Sequence, residues 1–236
     1  DYWDETRIPK LDRLVLIPLP ESNARSAALM SGQVDWIEAP APDTIPAMQG
    51  NGFAITQNAL PHNWTWHLSR VEGSPWNDIR IRKAANLAVD REGLGELLGG
   101  MMVPAKGHVL PGSQWFGKPE FDITYDPEKA KELLAEAGYG PDKPVTVKAL
   151  ISASGSGQMQ PLPMNEFVQQ SLAEVGIDVT FEVVELENLY LHWRAGAQNE
   201  MNAGKGITAI NLGYVTADPF YALTRFAYSG YVAPKG

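Results

Sequence analysis

The sequence predicts an α/β fold in which helices pack on a mixed β-sheet. Strand and helix patterns alternate as βαβαβα in the second half of the chain, between residues 144 and 228. This order favours parallel strand pairs with helices packed against them. With 236 residues, of which 44% are hydrophobic, the chain is also long enough to bury the core of one large domain.

The strands are predicted from short apolar runs and from alternation of apolar and polar residues. Val145, Val147 and Ala149 lie on one face of a strand over 144–151, and a strand over 177–184 alternates in the same way. Trp36 and Trp66 fall inside predicted strands, so we expect both in the core. The remaining predicted strands cover residues 14–17, 34–37, 53–56, 64–68 and 207–212.

The helices are predicted from capping residues and apolar stripes. Asp78, Asp90 and Asp126 each precede a helical pattern and can accept the free N–H groups of its first turn. Asp43 is expected to cap a short helix that ends at Gln49. The predicted helices cover residues 23–30, 44–49, 79–88, 91–98, 127–137, 164–175, 187–198 and 219–228. Residues 99–124 show no period and are expected to form a long ordered loop.

Composition excludes several classes of function. The formal net charge of −9 argues against a nucleic-acid partner, because phosphate contacts need clustered Lys and Arg. The absence of cysteine excludes thiolate zinc sites, disulfide scaffolds and cysteine nucleophiles. No apolar run approaches the roughly 20 residues that cross a bilayer.

Catalytic, metal and cofactor motifs are missing from the sequence. The histidines, at positions 62, 67, 108 and 192, have no metal-ligand spacing, and Gly155–Gly157 lacks the phosphate-loop pattern. Glu182, Glu185 and Glu187 lie on a predicted strand and helix start, where solvated faces and helix caps commonly carry Glu. The sequence therefore predicts no catalytic residue, no bound metal and no cofactor.

Two segments carry a specific resemblance to a known family. Residues 78–91, Asp-Ile-Arg-Ile-Arg-Lys-Ala-Ala-Asn-Leu-Ala-Val-Asp-Arg, resemble the D-x-R-V-R-x-A-x-x-x-A-I-D-R segment of family 5 extracellular solute-binding proteins. Residues 125–139, Tyr-Asp-Pro-Glu-Lys-Ala-Lys-Glu-Leu-Leu-Ala-Glu-Ala-Gly-Tyr, are similar to a second motif of that family. Shorter matches at 31–35 and 176–179 follow in the family's order. These proteins are the dipeptide, oligopeptide and nickel receptors of ABC importers.

The resemblance implies one lobe of a two-lobe, class II periplasmic-binding-protein-like receptor. Tyr2-Trp3 is similar to the start of the family's second lobe, so residues 1–236 are interpreted as that single lobe, excised from a longer chain. The implied partners are a small ligand, the missing first lobe and the membrane permease of an importer. The implied location is the periplasm or, in a Gram-positive cell, the outer surface, where a membrane anchor would hold the protein.

The expected function is solute capture for uptake, without enzyme activity. An oligopeptide or dipeptide is the expected ligand. An oligosaccharide or an opine-like compound is the alternative within the same class of receptor. A carboxylate-dependent hydrolase domain is the alternative from another class, and it requires two carboxylates facing each other in a deep pocket.

Six residues are predicted to bind the ligand: Trp64, Trp115, Phe116, Asn211, Tyr214 and Asp218. The aromatic residues lie at strand starts, in loops or at element ends, where they face either a cleft or the core. Asn211–Phe220 follows a buried strand, and ligands of open α/β sheets lie beyond such strand ends. In the resembled family a Trp stands at the position of Tyr214, and an Asp one residue before Asp218 can pair with a peptide's α-ammonium. Asp218 has helix capping as its alternative role, and the segment 78–98 is expected to make no ligand contact.

Overall fold

A computed structural model describes residues 3–58, 62–107, 109–154, 160–213 and 220 of the chain. The chain divides into two compact units, Asp1–Ala41 and Pro42–Gly236. The interpretation of residues 1–236 as one lobe stays a prediction. In the part of the chain that the structure describes, no helix is long and apolar enough to cross a membrane.

The first unit is organised by a single arginine on its helix. Helix α1 (Ser22–Met30) confirms the predicted helix over 23–30. Arg25 donates hydrogen bonds to the carbonyl oxygens of Leu19 (2.7 Å) and Pro20 (2.6 Å) before the helix. It also donates to those of Glu38 (2.9 Å) and Ala39 (2.8 Å) beyond it. One planar guanidinium with five donors thus ties together the two segments that flank α1.

The predicted strands over 14–17, 34–37 and 53–56 are wrong, since none of these segments is a strand in the structure. Leu16 is 78% exposed and Trp36 is 73% exposed, so the expected core position of Trp36 is also wrong. An apolar run does not specify a strand by itself, because a strand needs a partner backbone to satisfy its N–H and C=O groups. No described residue provides that partner for these three segments.

The second unit is built on a four-stranded mixed sheet, which confirms the predicted fold class. Its strands are β1 (His62–Leu68), β2 (Val145–Ser152), β3 (Ile177–Val184) and β4 (Lys205–Gly213), in the spatial order β1-β4-β2-β3. Strand β2 pairs in parallel with both β3 and β4, as the βαβαβα order predicts. Strand β1 pairs antiparallel with β4, with Trp64 opposite Asn211 and Trp66 opposite Ala209.

Three helices cover one face of this sheet and enclose the main core. They are α3 (Ile79–Ala88), α5 (Pro127–Glu136) and α6 (Pro161–Ala173). Val145, Val147 and Ala149 of β2 face this core, as their alternation predicts. The core also contains Trp76, Ile81, Ala84, Ala130, Leu134, Leu172, Ile177 and Ile207.

A single helix in the described residues lies on the opposite face. Helix α7 (Leu186–Ala195) packs through the fully buried Leu189 against Leu150 of β2. The helix covers less of its face than the three helices cover of theirs, which leaves polar residues of β1 and β4 open to a cavity.

The predicted caps of the helical corner over residues 78–98 are confirmed. The Asp78 carboxylate accepts the backbone N–H of Arg80 (2.8 Å) at the start of α3. Asp90 accepts the N–H of Gly93 (2.9 Å) at the start of α4 (Arg91–Leu97). Asp126 caps α5 through the N–H of Lys129 (2.9 Å). These local bonds fix where the helices begin.

Two helix predictions have other outcomes. Asp43 lies in a 3₁₀ turn (Pro42–Thr44) ahead of α2 (Ile45–Gly50), and Thr44 holds the N-cap position, so the predicted Asp43 cap is wrong. The observed helical segment therefore begins at Pro42, two residues before the predicted start at Thr44. The predicted helix over 219–228 lies outside the described residues, except for Phe220.

The capping carboxylate of α3 predicts a pH dependence of stability. Hydrogen bonds from the side chain and the backbone of Arg80 lower the pKa of Asp78 from 3.8 to about 2. Because this pKa is depressed in the folded state, the stabilisation is present above pH 3.8 and is lost as the pH falls through 2. Asp78→Asn keeps the cap and removes the charge, so we expect it to flatten the loss of stability between pH 4 and pH 2 in denaturant titrations.

Asp126→Asn is the matched control, because Asp126 caps α5 without an ion pair among the described residues. The control should follow the wild-type pH profile. An equal flattening by both variants would contradict the assignment to the Asp78–Arg80 pair.

Candidate functional site

A cavity of about 1210 Å³ runs along strand β1 in the second unit. Its walls come from β1, from the corner of α3 and α4, from α6, and from the segment that joins α7 to β4. Residues 101–107 and 109–111, here called the cavity loop, close one side. A cavity of this size exceeds what most drug-sized ligands fill.

One wall of the cavity is apolar and aromatic. Trp64 packs against Leu94, Leu98 and Met164. Trp66 donates its indole N–H to Asn165 Oδ1 (2.9 Å) and meets Phe181 edge-on, with ring centroids 6.2 Å apart. The wall is therefore a rigid surface, since both Trp rings are fixed by contacts on α4 and α6.

Asn165 is a buried polar residue that holds this wall in place. Its side chain is fully buried, accepts from Trp66, and donates to the carbonyl of Pro161 (2.7 Å) in the first turn of α6. Both ends of the amide are paired, so its burial carries no unsatisfied group at these atoms.

The wall on the other face of β1 is polar. Strand alternation turns Thr65 and His67 away from Trp64 and Trp66. His67 Nδ1 accepts from the indole N–H of Trp193 (3.3 Å), and the two rings meet edge-on with centroids 6.4 Å apart. His192 and Asn202 are bonded side chain to side chain (2.7 Å).

Asn202 fixes the return from α7 to β4. Its amide donates to the carbonyls of His192 (2.7 Å) and Gly196 (2.8 Å), and the residue is buried. This bonding closes the turn after α7 and places Lys205 at the start of β4. Lys205 then pairs with Glu182 of β3 at 2.9 Å, and its hydrogen bond lowers the pKa of Glu182.

A side-chain hydrogen bond from β1 attaches the cavity loop to the sheet. Asn63 donates its amide to the carbonyl of Gly107 (2.7 Å). Gln57 donates to the carbonyl of Gly100 (3.1 Å), the residue just before the loop. The loop has no helix or strand of its own, so these bonds and apolar contacts set its position.

Arg91 lines the apolar side of the cavity and carries a positive charge there. It donates to the carbonyls of Asn86 (2.9 Å) and Val89 (3.2 Å) and to the amide oxygen of Asn86 (3.1 Å). Burial lowers the pKa of Arg91, and a guanidinium keeps its charge in proteins. Its partners are neutral acceptors at the end of α3, where cations also interact favourably with the helix dipole.

Comparison with known proteins assigns the chain to a family. The family model described as "Bacterial extracellular solute-binding proteins, family 5 Middle" matches residues 1–232. The chain belongs to family 5 of the bacterial extracellular solute-binding proteins. The resemblance of the two sequence motifs is thereby confirmed.

Curated relatives of family 5 are similar over most of the chain. Heme-binding protein A of Haemophilus influenzae is 31% identical over 188 residues, which cover 77% of this chain and 34% of the relative. Glutathione-binding protein GsiB of Salmonella choleraesuis is 33% identical over 178 residues, which cover 75% of this chain and 33% of the relative. The chain thus matches about a third of the length of these relatives.

Solved structures share the fold. A dipeptide-binding protein from Pseudoalteromonas sp. SM9913, in complex with Met-Leu, has a TM-score of 0.70 at 19% identity, covering 88% of this chain and 39% of that one. NikA from Staphylococcus aureus, in complex with Ni(L-His)2, has a TM-score of 0.70 at 17% identity, covering 88% of this chain and 42% of that one. At these identities the likeness shows the fold alone.

The six predicted ligand-binding residues have different places in this family 5 chain. Trp64 lines the cavity, and Asn211 pairs with it across β1 and β4. Trp115 is 54% exposed and lies outside the cavity lining, as does Phe116, although a Cβ built on Gly107 would lie 3.5 Å from the Phe116 ring. Tyr214 and Asp218 lie outside the described residues. The set as a whole stays a prediction.

Sequence reasoning missed most of the polar wall. His67, Trp193, Asn202 and Lys205 come from β1, α7, a 3₁₀ turn (Glu200–Asn202) and β4, and they meet only through the pairing of β1 with β4. Alternation within β1 was the available signal for His67, because it sets that residue opposite the apolar Trp64 and Trp66. The corner over 78–98 also borders the cavity through Asn86, Val89, Arg91, Leu94 and Leu98.

The described lining gives no support to chemistry by a carboxylate pair or by a metal. It includes no Asp or Glu, so this part of the cavity offers no facing carboxylate pair. Within the described ranges, no group of three or more His, Cys, Asp or Glu residues is arranged to hold a metal ion.

The bond from Asn63 to Gly107 predicts a role in loop order. Asn63→Ala removes a side-chain hydrogen bond worth about 1 kcal/mol and should loosen the cavity loop. We expect faster amide exchange over residues 101–107 and faster tryptic cleavage after Lys106. Asn77→Ala is the control, because Asn77 donates to the carbonyl of Val71 (2.9 Å) away from the cavity. Unchanged exchange in Asn63→Ala would show that other contacts hold the loop.

Proposed function

We propose that this chain is part of the substrate-binding component of an ABC importer, which captures a small solute outside the cytoplasmic membrane for uptake. The family match over residues 1–232 carries this proposal. Family 5 proteins bind small ligands and work with ABC permeases, so the proposed partners are a ligand, a further lobe and a membrane permease. The proposed location is the periplasm, or the outer surface in a Gram-positive cell.

The cavity along β1 supports binding rather than catalysis. Its Trp64 and Trp66 rings are held rigidly, and rigid aromatic surfaces offer contact area at little cost in conformational entropy. The described lining supplies hydrogen-bonding groups without a carboxylate pair. Binding by a receptor without enzyme activity is therefore the function that the site supports best.

A dipeptide or oligopeptide is the proposed ligand, as the peptide chemistry of two relatives favours. GsiB is named for glutathione, and the Pseudoalteromonas protein was solved with Met-Leu. An oligosaccharide or opine-like solute is the alternative within the class, and the aromatic wall also fits it, because indole rings stack on sugar faces. The hydrolase alternative has no residue pair in the described lining to support it.

Ligand capture in such a receptor depends on two lobes closing around the solute. Contacts that exist only in the closed state shift the population of the receptor toward closure. One lobe supplies only one wall of the site, so it loses the contacts that the other wall would add.

This two-lobe mechanism predicts a large difference in affinity between the full-length protein and the 236-residue chain. A solute screen by thermal shift, with peptides, sugars and metal chelates, identifies ligands of the full-length protein. Calorimetry should then show binding by the full-length protein and much weaker binding by the chain alone, provided that circular dichroism confirms its fold. Micromolar or tighter binding by the chain alone would contradict the half-site mechanism.

The ligand-binding residues proposed beyond β4 are Tyr214 and Asp218, with Asn211 in the strand before them. Asp218 is proposed to pair with the α-ammonium of a peptide. Trp115 and Phe116 are proposed to face the same ligand from the long loop. Of these assignments, that of Asp218 names the part of the peptide that is recognised.

The pairing of Asp218 can be tested by a double comparison in the full-length protein. N-acetylation removes the ammonium charge of a bound peptide and should weaken its affinity for the wild-type protein about tenfold or more, as loss of a paired charge does. In Asp218→Asn this acetylation penalty should disappear. Asp142→Asn is the control, because Asp142 is exposed and does not line the cavity. A full acetylation penalty in Asp218→Asn would assign the ammonium to another residue.

A further inference from the structure

The charged residues in the described lining of the cavity have one sign. Arg91, Lys106 and Lys205 line it, and no Asp or Glu does so among the described residues. The chain as a whole has the opposite bias, with 28 acidic residues against 19 basic ones and a net charge of −9. The described wall of the cavity is therefore positive within an acidic protein.

Arg91 retains an uncompensated charge beside this cavity. Lys205 is neutralised by Glu182, whereas the partners of Arg91 are the carbonyls of Asn86 and Val89 and the Asn86 amide. These bonds use three of the five N–H donors of the guanidinium. No described carboxylate pairs with it. Lys106 adds a second cation from the cavity loop.

We propose that the cavity along β1 selects a solute of net negative charge, whose carboxylate oxygens accept hydrogen bonds from this wall. The proposal rests on the receptor function proposed above and narrows its ligand class. A carboxylate matches the planar guanidinium of Arg91 in two parallel hydrogen bonds. A cationic solute would meet charges of its own sign and no carboxylate in the described wall.

The experiment is a charge series of dipeptides titrated into the full-length protein by calorimetry. Ala-Glu, Ala-Gln and Ala-Lys have similar size and differ in side-chain charge. We expect Ala-Glu to bind about tenfold or more tightly than Ala-Gln, with Ala-Lys weakest, as electrostatic complementarity in a partly dry site requires. The preference for Ala-Glu should also shrink as salt rises.

Two variants assign the preference to this wall. Arg91→Gln and Lys106→Met should each reduce the ratio of Ala-Glu to Ala-Gln affinity several-fold. Lys118→Met is the matched control, because Lys118 belongs to the same long loop and does not line the cavity. Arg91 also bonds the end of α3, so thermal unfolding checks the fold of its variant. Lys106→Met and the wild-type charge series test the anion selectivity without relying on the Arg91 variant.

The outcomes separate this proposal from the receptor function. Equal affinity for Ala-Glu and Ala-Gln, a preference for Ala-Lys, or a solute screen whose hits are all neutral or cationic overturns the anion selectivity and leaves solute binding in place. An unchanged charge ratio in both lining variants also overturns it. Failure of every peptide, sugar and chelate to bind the full-length protein instead overturns the receptor function itself.

Discussion

The antiparallel pairing of β1 with β4 is the constraint on which the candidate site depends. It joins residues about 140 positions apart, Trp64 with Asn211 and His67 with Thr208. The register decides which side chains of β1 face the main core and which face α7, because a slip by one residue would exchange the two faces. Trp64 and Trp66 would then leave their contacts on α4 and α6, and the apolar wall of the cavity would be lost.

The same pairing places β1 at the edge of the described sheet, with β4 on one side only. An edge strand exposes unpaired backbone groups, and natural proteins cover such edges with loops or helices. Here the cavity loop lies beside β1 and is bonded to it from Asn63 to Gly107. Among the described strands only β4 pairs with β1, and the cavity lies along β1 next to this loop.

The elements that sequence alone predicts are those whose determinants are local. Asp78, Asp90 and Asp126 cap helices through bonds that span two or three residues, and the predictions made from them hold. The apolar run over 14–17 has no such determinant. Whether it forms a strand depends on a partner backbone elsewhere in the chain, which its own residues do not specify. The parallel pairs of β2 were also predictable, because helices of suitable length separate the strands. The polar wall was not, since His67, Trp193 and Lys205 meet only after β1 has found β4.

The corner over residues 78–98 shows how one contact serves both fold and site. Arg91 follows the Asp90 cap, and its side chain turns back to donate hydrogen bonds to the carbonyls of Asn86 and Val89 at the end of α3. That turn also carries the guanidinium to the cavity, where Leu94 and Leu98 of the same corner pack against Trp64. A carboxylate partner would neutralise the charge of Arg91. The carbonyl partners instead hold the side chain in place and leave its positive charge available. The segment that identifies the family is thus also a wall of the cavity, and its position there follows from the helix end that Arg91 completes.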